Sequence, residues 1–327
     1  MTPQVAVVVP CYNEEAVLPE TARRLDELLA RLEHAGKAKN ARTYLVDDGS
    51  RDSTWALIEQ LARENPRFSG IKLSRNQGHQ AALLAGLLTA EGDAVVSIDA
   101  DLQDDLGAIE RMVDSFGDGY DVVYGVRRSR STDSFFKRNT AQLYYRLLRL
   151  FGVDVVYNHA DFRLLSRRAL DALQEFGEVN LFLRGIVPLL GYRSTVVEYN
   201  RGERFAGESK YPLRKMLALA VHGVTSFSVV PLRLIAATGL IVFVLSFLMI
   251  AWVLYGKFVL HGTVPGWASS VIPIYLLGGI QLLSIGVLGE YVAKIYLEAK
   301  RRPRYFIEKT VGGTNSKVSS SRIAETC

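Results

Sequence analysis

Short apolar runs alternate with stretches of helical periodicity through the first part of the chain. Residues 5–9 are continuously apolar, the pattern of a strand buried on both faces. Residues 15–35 then repeat Leu18, Leu25, Leu28, Leu29 and Leu32 along one helical face. The alternation continues, predicting strands at 43–46, 71–73, 94–98 and 121–124 and helices at 52–63 and 79–90. Ser50 or Asp52 would cap the first of these two helices. This order predicts an α/β fold, βαβ units around a mainly parallel sheet. From residue 134 the pattern loosens, with a helix predicted near 137–150 and strands near 161–165 and 195–199.

The last third reads differently. Within 211–228, Leu213, Met216, Leu217, Ala220, Val221, Val224 and Phe227 share one helical face, while Arg214, Lys215 and His222 lie elsewhere. That is the pattern of an interfacial helix in a headgroup layer, which an ordinary core-packing helix could also produce. No charged residue lies between Arg233 and Lys257 or between His261 and Glu290. Each interval exceeds the ~20 residues needed to cross ~30 Å of hydrocarbon. Two spans are predicted, at about 233–256 and 268–293. Lys300, Arg301, Arg302 and Arg304 follow the second, so the positive-inside rule puts both chain ends in the cytosol. The domain expectation is a cytosolic domain over 1–210, an interfacial helix over 211–230, the hairpin over 231–299 and a cytosolic tail over 300–327, disordered from Gly312.

Composition sharpens this division. Hydrophobic residues make up 49% and charged residues 22%, a mixture that only segregation into polar and apolar parts reconciles. The formal net charge of +5 suits an anionic leaflet or phosphate ligands. Nucleic acid is excluded as the partner, because no basic-aromatic array or zinc-finger spacing is present. Cys11 and Cys327 stand at opposite ends, so no disulfide framework is implied and a reducing compartment is expected. The N-terminus carries neither a basic segment nor an apolar run long enough for a signal peptide.

Polar residues collect after successive strands: Tyr12-Asn13-Glu14, Asp47-Asp48, Arg75-Asn76 and Asp99-Ala100-Asp101. Open α/β sheets bind ligands at that edge. A nucleotide diphosphate needs a divalent cation, and hard ions prefer carboxylate oxygens, which Asp99 and Asp101 could supply with the amide oxygen of Gln103. Pro10 should end the first strand's ladder. Tyr12 offers a ring to stack on a base, Glu14 and Asp48 could accept from base or ribose, and Gly49 permits a tight turn. Each cluster alone could equally be a cap or a solvated turn. Arginines and lysines suited to phosphate recognition follow later: Arg127, Arg128, Lys137 and Arg138, then Arg201, Arg204, Ser209 and Lys210. A basic face on anionic lipid would use some of the same residues.

Taken in order, residues 10–14, 46–50, 75–82 and 99–103 resemble the inverting GT-A glycosyltransferases of family 2. Within that family the chain is similar to the dolichyl- and undecaprenyl-phosphate sugar transferases, over roughly residues 5–307. The resemblance implies a GT-A, Rossmann-like domain followed by an interfacial helix and a two-helix transmembrane hairpin in the inner membrane. It implies Mg²⁺ or Mn²⁺ held by Asp99, Asp101 and Gln103 on a donor pyrophosphate, and nucleotide-sugar contacts by Pro10, Tyr12, Glu14, Asp48 and Asn76. Asp161, in Asp161-Phe162-Arg163-Leu164, matches the segment beside the acceptor, as a base or as a positioning group; an ion pair with Arg163 or another arginine is the alternative. The run from Arg204 to Tyr211 resembles a phosphate-contacting loop that Gly207 would let close. A homo-tetramer is the oligomer found in many members.

Two departures stand out. His79 occupies a position where many relatives have lysine, and Asp104-Asp105 replaces a eukaryotic histidine-proline run, pointing to the bacterial branch. The implied reaction moves a sugar from a nucleotide-sugar, UDP-glucose ahead of UDP-N-acetylglucosamine or a modified arabinose, onto a polyprenyl phosphate lipid. A processive polysaccharide synthase is disfavoured, since none of Trp55, Trp252 and Trp267 follows an arginine. A non-catalytic scaffold that only binds nucleotide-sugar is disfavoured by the intact acidic cluster.

Overall fold

The computed structural model describes residues 2–128, 159–178, 183–200, 230–258 and 266–313. Eight strands form one sheet: β1 (Gln4–Cys11), β2 (Lys39–Asp47), β3 (Phe68–Leu73), β4 (Ala94–Ser97), β5 (Val122–Arg127), β6 (His159–Ser166), β7 (Ser194–Tyr199) and β8 (Ile307–Val311). Helices α1 (Leu18–His34), α2 (Thr54–Glu64), α3 (His79–Thr89), α4 (Gly107–Gly117), α5 (Arg167–Gln174) and α6 (Leu183–Leu189) connect or flank them. These elements make one compact unit, while α7 (Val230–Phe258) and α8 (Trp267–Ala299) belong to a second.

The strand order is β7-β5-β6-β4-β1-β2-β3-β8. At its centre β4, β1, β2 and β3 run parallel, as the βαβ pattern predicts. The sheet as a whole is mixed, because β6 enters antiparallel between β4 and β5 and β8 lies antiparallel on β3. Val5 to Val9 are wholly buried and α1 buries the predicted leucine face. Pro10 does not end β1; it pairs with Val46, and Cys11 still pairs with Asp47. The N-cap of α2 is Ser53, with Asp52 accepting from the Thr54 N–H at 3.1 Å. Helices α4, α5 and α6 were not predicted. β8 lies in the expected tail, fastened by Lys309 to Glu59 (2.6 Å) and Glu308 to Lys72 (3.0 Å).

α3, predicted over 79–90, spans His79–Thr89 and is buried from Ala81 to Leu87. Gly86 is what lets it lie on the sheet: a Cβ there would stand 2.3 Å from Val8 and 2.7 Å from Val46 side-chain atoms. α3 carries His79 and Gln80 at its first turn, so this packing also sets part of the site.

In the second unit, Leu276–Ala299 within α8 is long and apolar enough to cross a membrane, and Val230–Val242 of α7 is a shorter apolar stretch. Leu240, Ile241, Leu245, Leu248 and Trp252 on α7 and Leu282, Leu283, Val292 and Ile295 on α8 are exposed. The helix predicted near 137–150 and the interfacial helix at 211–228 lie outside the described residues.

Replacing Gly86 by Val should push α3 off the sheet and cost about 1–3 kcal/mol, the usual range for overpacking. Thermal melting of the purified protein would register this as a lowered midpoint.

Candidate active site

Parallel strands deliver their following loops to one sheet edge. Here those loops are laced together. Asn13, in the left-handed conformation (φ 55°), donates its N–H to Ser50 Oγ at 3.0 Å and accepts the Arg51 N–H on Oδ1 at 2.9 Å. The Glu14 N–H donates to Thr54 Oγ1 at 2.9 Å, and the Ser53 N–H donates to the Glu15 carboxylate at 2.9 Å. The second and third loops are tied by Asp48, whose buried carboxylate accepts from the N–H groups of Gln77 (2.7 Å) and Gly78 (2.9 Å). Burial raises the Asp48 pKa above the ordinary carboxylate range, against the pull of those two donors. Gly49, at φ 68°, passes so close that a Cβ would stand 2.6 Å from the Asn76 nitrogen. Tyr12 is exposed at the lip of this rim. The structure thus brings Tyr12, Glu14, Asp48 and Asn76 into neighbouring, mutually braced loops, with Pro10 just before the first of them in β1.

β4 ends at Ser97, and the acidic loop follows. Leu102 adopts φ 57°, a conformation that costs a non-glycine residue energy and that clusters at functional loops. The Gln103 N–H donates to Asp101 Oδ1 at 3.2 Å, folding the loop back on itself. Gln103 is buried, and its Oε1 finds no hydrogen-bond partner among the described residues. A buried amide oxygen left unmatched suits a hard cation. Among the described residues no cluster of three or more His, Cys, Asp or Glu could hold an ion alone. Two carboxylates, Asp99 and Asp101, and the amide oxygen of Gln103 are the hard donors that this loop could offer a cation. Loss of water raises the Asp99 pKa, with His79 opposing and Asp161 and Asp101 adding to the rise.

Beside it lies Asp161, buried on β6. Its carboxylate meets Arg163 Nη2 at 2.7 Å, Arg184 Nη2 at 3.0 Å, Gln80 Nε2 at 3.2 Å and His79 Nε2 at 3.5 Å. Gln80 Oε1 in turn accepts the Leu183 N–H at 3.1 Å, and Ser97 Oγ donates to the Asp161 carbonyl at 2.5 Å. Burial alone would raise the Asp161 pKa. Arg184, His79 and Arg163 outweigh it and hold the carboxyl well below the ordinary range. The group is a locked anion, which is a poor starting point for a base. His79 Nε2 also lies 3.6 Å from Asp99, bridging the two acidic groups. Burial works to lower the imidazole pKa, yet Asp161 and Asp99 together raise it.

A second network closes the far side. The Tyr199 hydroxyl donates to buried Asp104 at 2.6 Å and receives Arg127 Nε at 3.4 Å, while its ring meets Phe162 edge-on at 5.2 Å. Burial pushes the Asp104 pKa up to about 6. Arg127 is so placed within the described site. Arg138, Arg204, Ser209 and Lys210 lie outside the described residues, as do Lys137 and Arg201. Gln80, Arg184 and Tyr199 were missed by sequence reasoning; Gln80 meets its carboxylate across 81 positions, a separation that no spacing rule reveals.

Comparison with known proteins identifies the family. The family model "Glycosyl transferase family 2" matches residues 6–174. The chain is 50% identical over 309 residues to an uncharacterized glycosyltransferase, YkoT, of Bacillus subtilis, covering 94% of this chain and 91% of that one. It is 40% identical over 314 residues to an SfII prophage-derived bactoprenol glucosyl transferase of Shigella flexneri, covering 95% and 99%. Among solved structures, a mannosyltransferase of Pyrobaculum calidifontis in complex with GDP-Man and Mn²⁺ aligns at TM-score 0.44 and 17% identity, over 92% of this chain and 87% of that one. That likeness is too loose to carry an argument about ligands.

Asp161→Asn leaves buried Arg163 without its counter-charge and should destabilise the protein by about 3–5 kcal/mol at pH 7. Because the folded pKa is depressed, the wild-type advantage is full above the unfolded value of about 3.9 and fades as pH falls below it. Denaturant melts of both proteins at pH 7 and pH 3 should therefore show a gap narrowed by only about 1 kcal/mol at the lower pH, since the folded carboxyl keeps its charge there.

Proposed function

The chain belongs to glycosyl transferase family 2, and on that premise we propose that it transfers glucose from UDP-glucose to undecaprenyl or another polyprenyl phosphate, with inversion at the anomeric carbon. The observation that carries the reading is the strained Asp99–Gln103 loop, with its unmatched buried amide oxygen, set beside three laced nucleotide-type loops. The bactoprenol glucosyl transferase relative supports the acceptor class and the sugar.

In this reading Tyr12 stacks on the base, while Pro10, Glu14, Asp48 and Asn76 shape the nucleoside seat. Asp48 acts through the backbone it clamps, presenting the loop at 77–78 to the donor. Asp99, Asp101 and Gln103 would hold Mg²⁺ or Mn²⁺. When bound, the ion supplies positive charge against the leaving diphosphate. An oxygen of the acceptor phosphate attacks the anomeric carbon, the bond from that carbon to the diphosphate breaks, and the nucleoside diphosphate departs with the electron pair. The second pKa of a phosphate monoester is about 6, so this nucleophile is ionised at neutral pH and needs no strong base. That fits Asp161 as a positioning group rather than a proton acceptor. Arg127, with Arg138, Arg204, Ser209 and Lys210, would supply cations to the two phosphates.

The exposed apolar side chains of α7 and α8 support insertion in a bilayer, here proposed as a two-span hairpin in the inner membrane with both chain ends cytosolic. A homo-tetramer is the oligomer this reading favours. A panel of nucleotide-sugars would decide between UDP-glucose, UDP-N-acetylglucosamine and a modified arabinose donor.

The test is radiolabel transfer from UDP-glucose to undecaprenyl phosphate by membranes holding the full chain. Asp101→Ala should lower the rate about a hundredfold or more, the scale of losing a transition-state electrostatic contact. Transfer at the wild-type rate would refute the assignment of the acidic loop.

A further inference from the structure

The acidic loop between β4 and α4 is fastened at both ends by side chains from elsewhere. Within it, the Gln103 N–H reaches Asp101 Oδ1 only at 3.2 Å. At its start, Thr21 Oγ1 on α1 lies 2.9 Å from the Ala100 carbonyl, sharing its one hydrogen with the Val17 carbonyl at 3.1 Å. At its end, the Tyr199 hydroxyl meets Asp104 Oδ1 at 2.6 Å, and both residues are buried. Beside that contact, Arg111 on α4 joins Asp105 at 3.2 Å to the Glu198 carbonyl at 3.1 Å. The last two residues of β7 thus hold the far end of the loop.

Chemistry fixes the direction of the Tyr199 bond. Arg127 Nε, 3.4 Å away, can only donate, so the hydroxyl oxygen accepts there and its single hydrogen goes to Asp104. The ring is held separately, edge-on to buried Phe162 at 5.2 Å. Packing and hydrogen bonding at this residue are therefore separable. What the bond restrains is the neighbour of Gln103, whose buried Oε1 has no partner among the described residues. A loop free to move would turn such an oxygen toward water or a donor. Keeping it unmatched, next to left-handed Leu102, requires the loop to be held from outside.

We propose that Tyr199 is a positioning residue for the cation-binding loop, acting through its hydrogen bond to Asp104 to hold Gln103 in place. This rests on the transferase reading above, in which Asp99, Asp101 and Gln103 hold the metal, and it adds a residue that sets their geometry. The same hydroxyl receives Arg127, so one group registers the loop against a cation assigned to the phosphates.

The experiment uses the purified full chain in nanodiscs, without acceptor or turnover, and reads UDP binding by calorimetry across a Mn²⁺ titration. Tyr199→Phe keeps the ring and should raise the half-saturating Mn²⁺ concentration about tenfold or more, the scale of one hydrogen bond to a charged group. In the metal-free variant, amide hydrogen exchange should quicken at residues 100–105 and keep its wild-type rate in the loops at 12–15 and 74–78. Asp104→Asn, whose amide oxygen can still accept the Tyr199 hydrogen, should lose less Mn²⁺ affinity than Asp104→Ala. A wild-type Mn²⁺ requirement in Tyr199→Phe would overturn the assignment, even with a lowered melting midpoint, because the residue would then only pack. Equal losses in Asp104→Asn and Asp104→Ala would also overturn it, since the carboxylate's charge would then matter rather than the bond. Should Tyr199→Phe fail to fold, the two Asp104 variants decide alone. Wild-type UDP binding that no Mn²⁺ concentration strengthens would instead sink the cation assignment itself, and this inference with it.

Discussion

A carboxylate sealed from water must have its charge answered inside the fold, and Asp161 is answered by four side chains from three elements. Arg163 shares its strand, His79 and Gln80 open α3, and Arg184 sits on α6. Removing water from such a group costs several kcal/mol, which the surrounding donors must offset together. Because the four donors come from three elements, satisfying one charge ties together β6, α3 and α6. The antiparallel insertion of β6 between β4 and β5 is what brings Asp161 beside the loop that begins at Asp99.

The same logic of mutual satisfaction governs the rim formed by the loops after β1, β2 and β3. There, backbone N–H groups freed at strand ends are taken up by side chains of the neighbouring loop, Ser50 and Thr54 for Asn13 and Glu14, Asp48 for Gln77 and Gly78. A rim built this way is stiff before any ligand arrives, so little ordering remains to be done on binding. Stiffness has a local cost, visible in the left-handed backbone of Asn13 and Leu102. Two of the four left-handed non-glycine residues among the described ones thus lie in the loops that follow β1 and β4.

Much of this was legible in the chain. The parallel centre of the sheet and the leucine face of α1 follow from periodicity, since a strand buried on both faces and a helix buried on one leave distinct patterns. The acidic and polar clusters were visible because they interrupt apolar strands at their ends. What stayed hidden depended on contacts between distant segments. Pro10 could remain in β1 because its pairing with Val46 continues to Asp47 of the parallel neighbour, a register that sequence does not display. β8 was invisible because a five-residue strand with three exposed positions resembles a polar tail until β3 offers it an edge. Arg184 and Gln80 carried no local signal, for their roles come from sharing one carboxylate.

The central claim is that Asp99, Asp101 and Gln103 hold a divalent cation against the diphosphate of a nucleotide-sugar. Anomalous scattering at the manganese edge, from crystals of the full chain grown with Mn²⁺ and UDP, tests it most directly. The account predicts one strong peak in contact with the Asp101 carboxylate and the UDP diphosphate, on the side of the loop that Gln103 Oε1 faces. Bound UDP with no manganese peak at this loop, or a peak held by other residues, would contradict it.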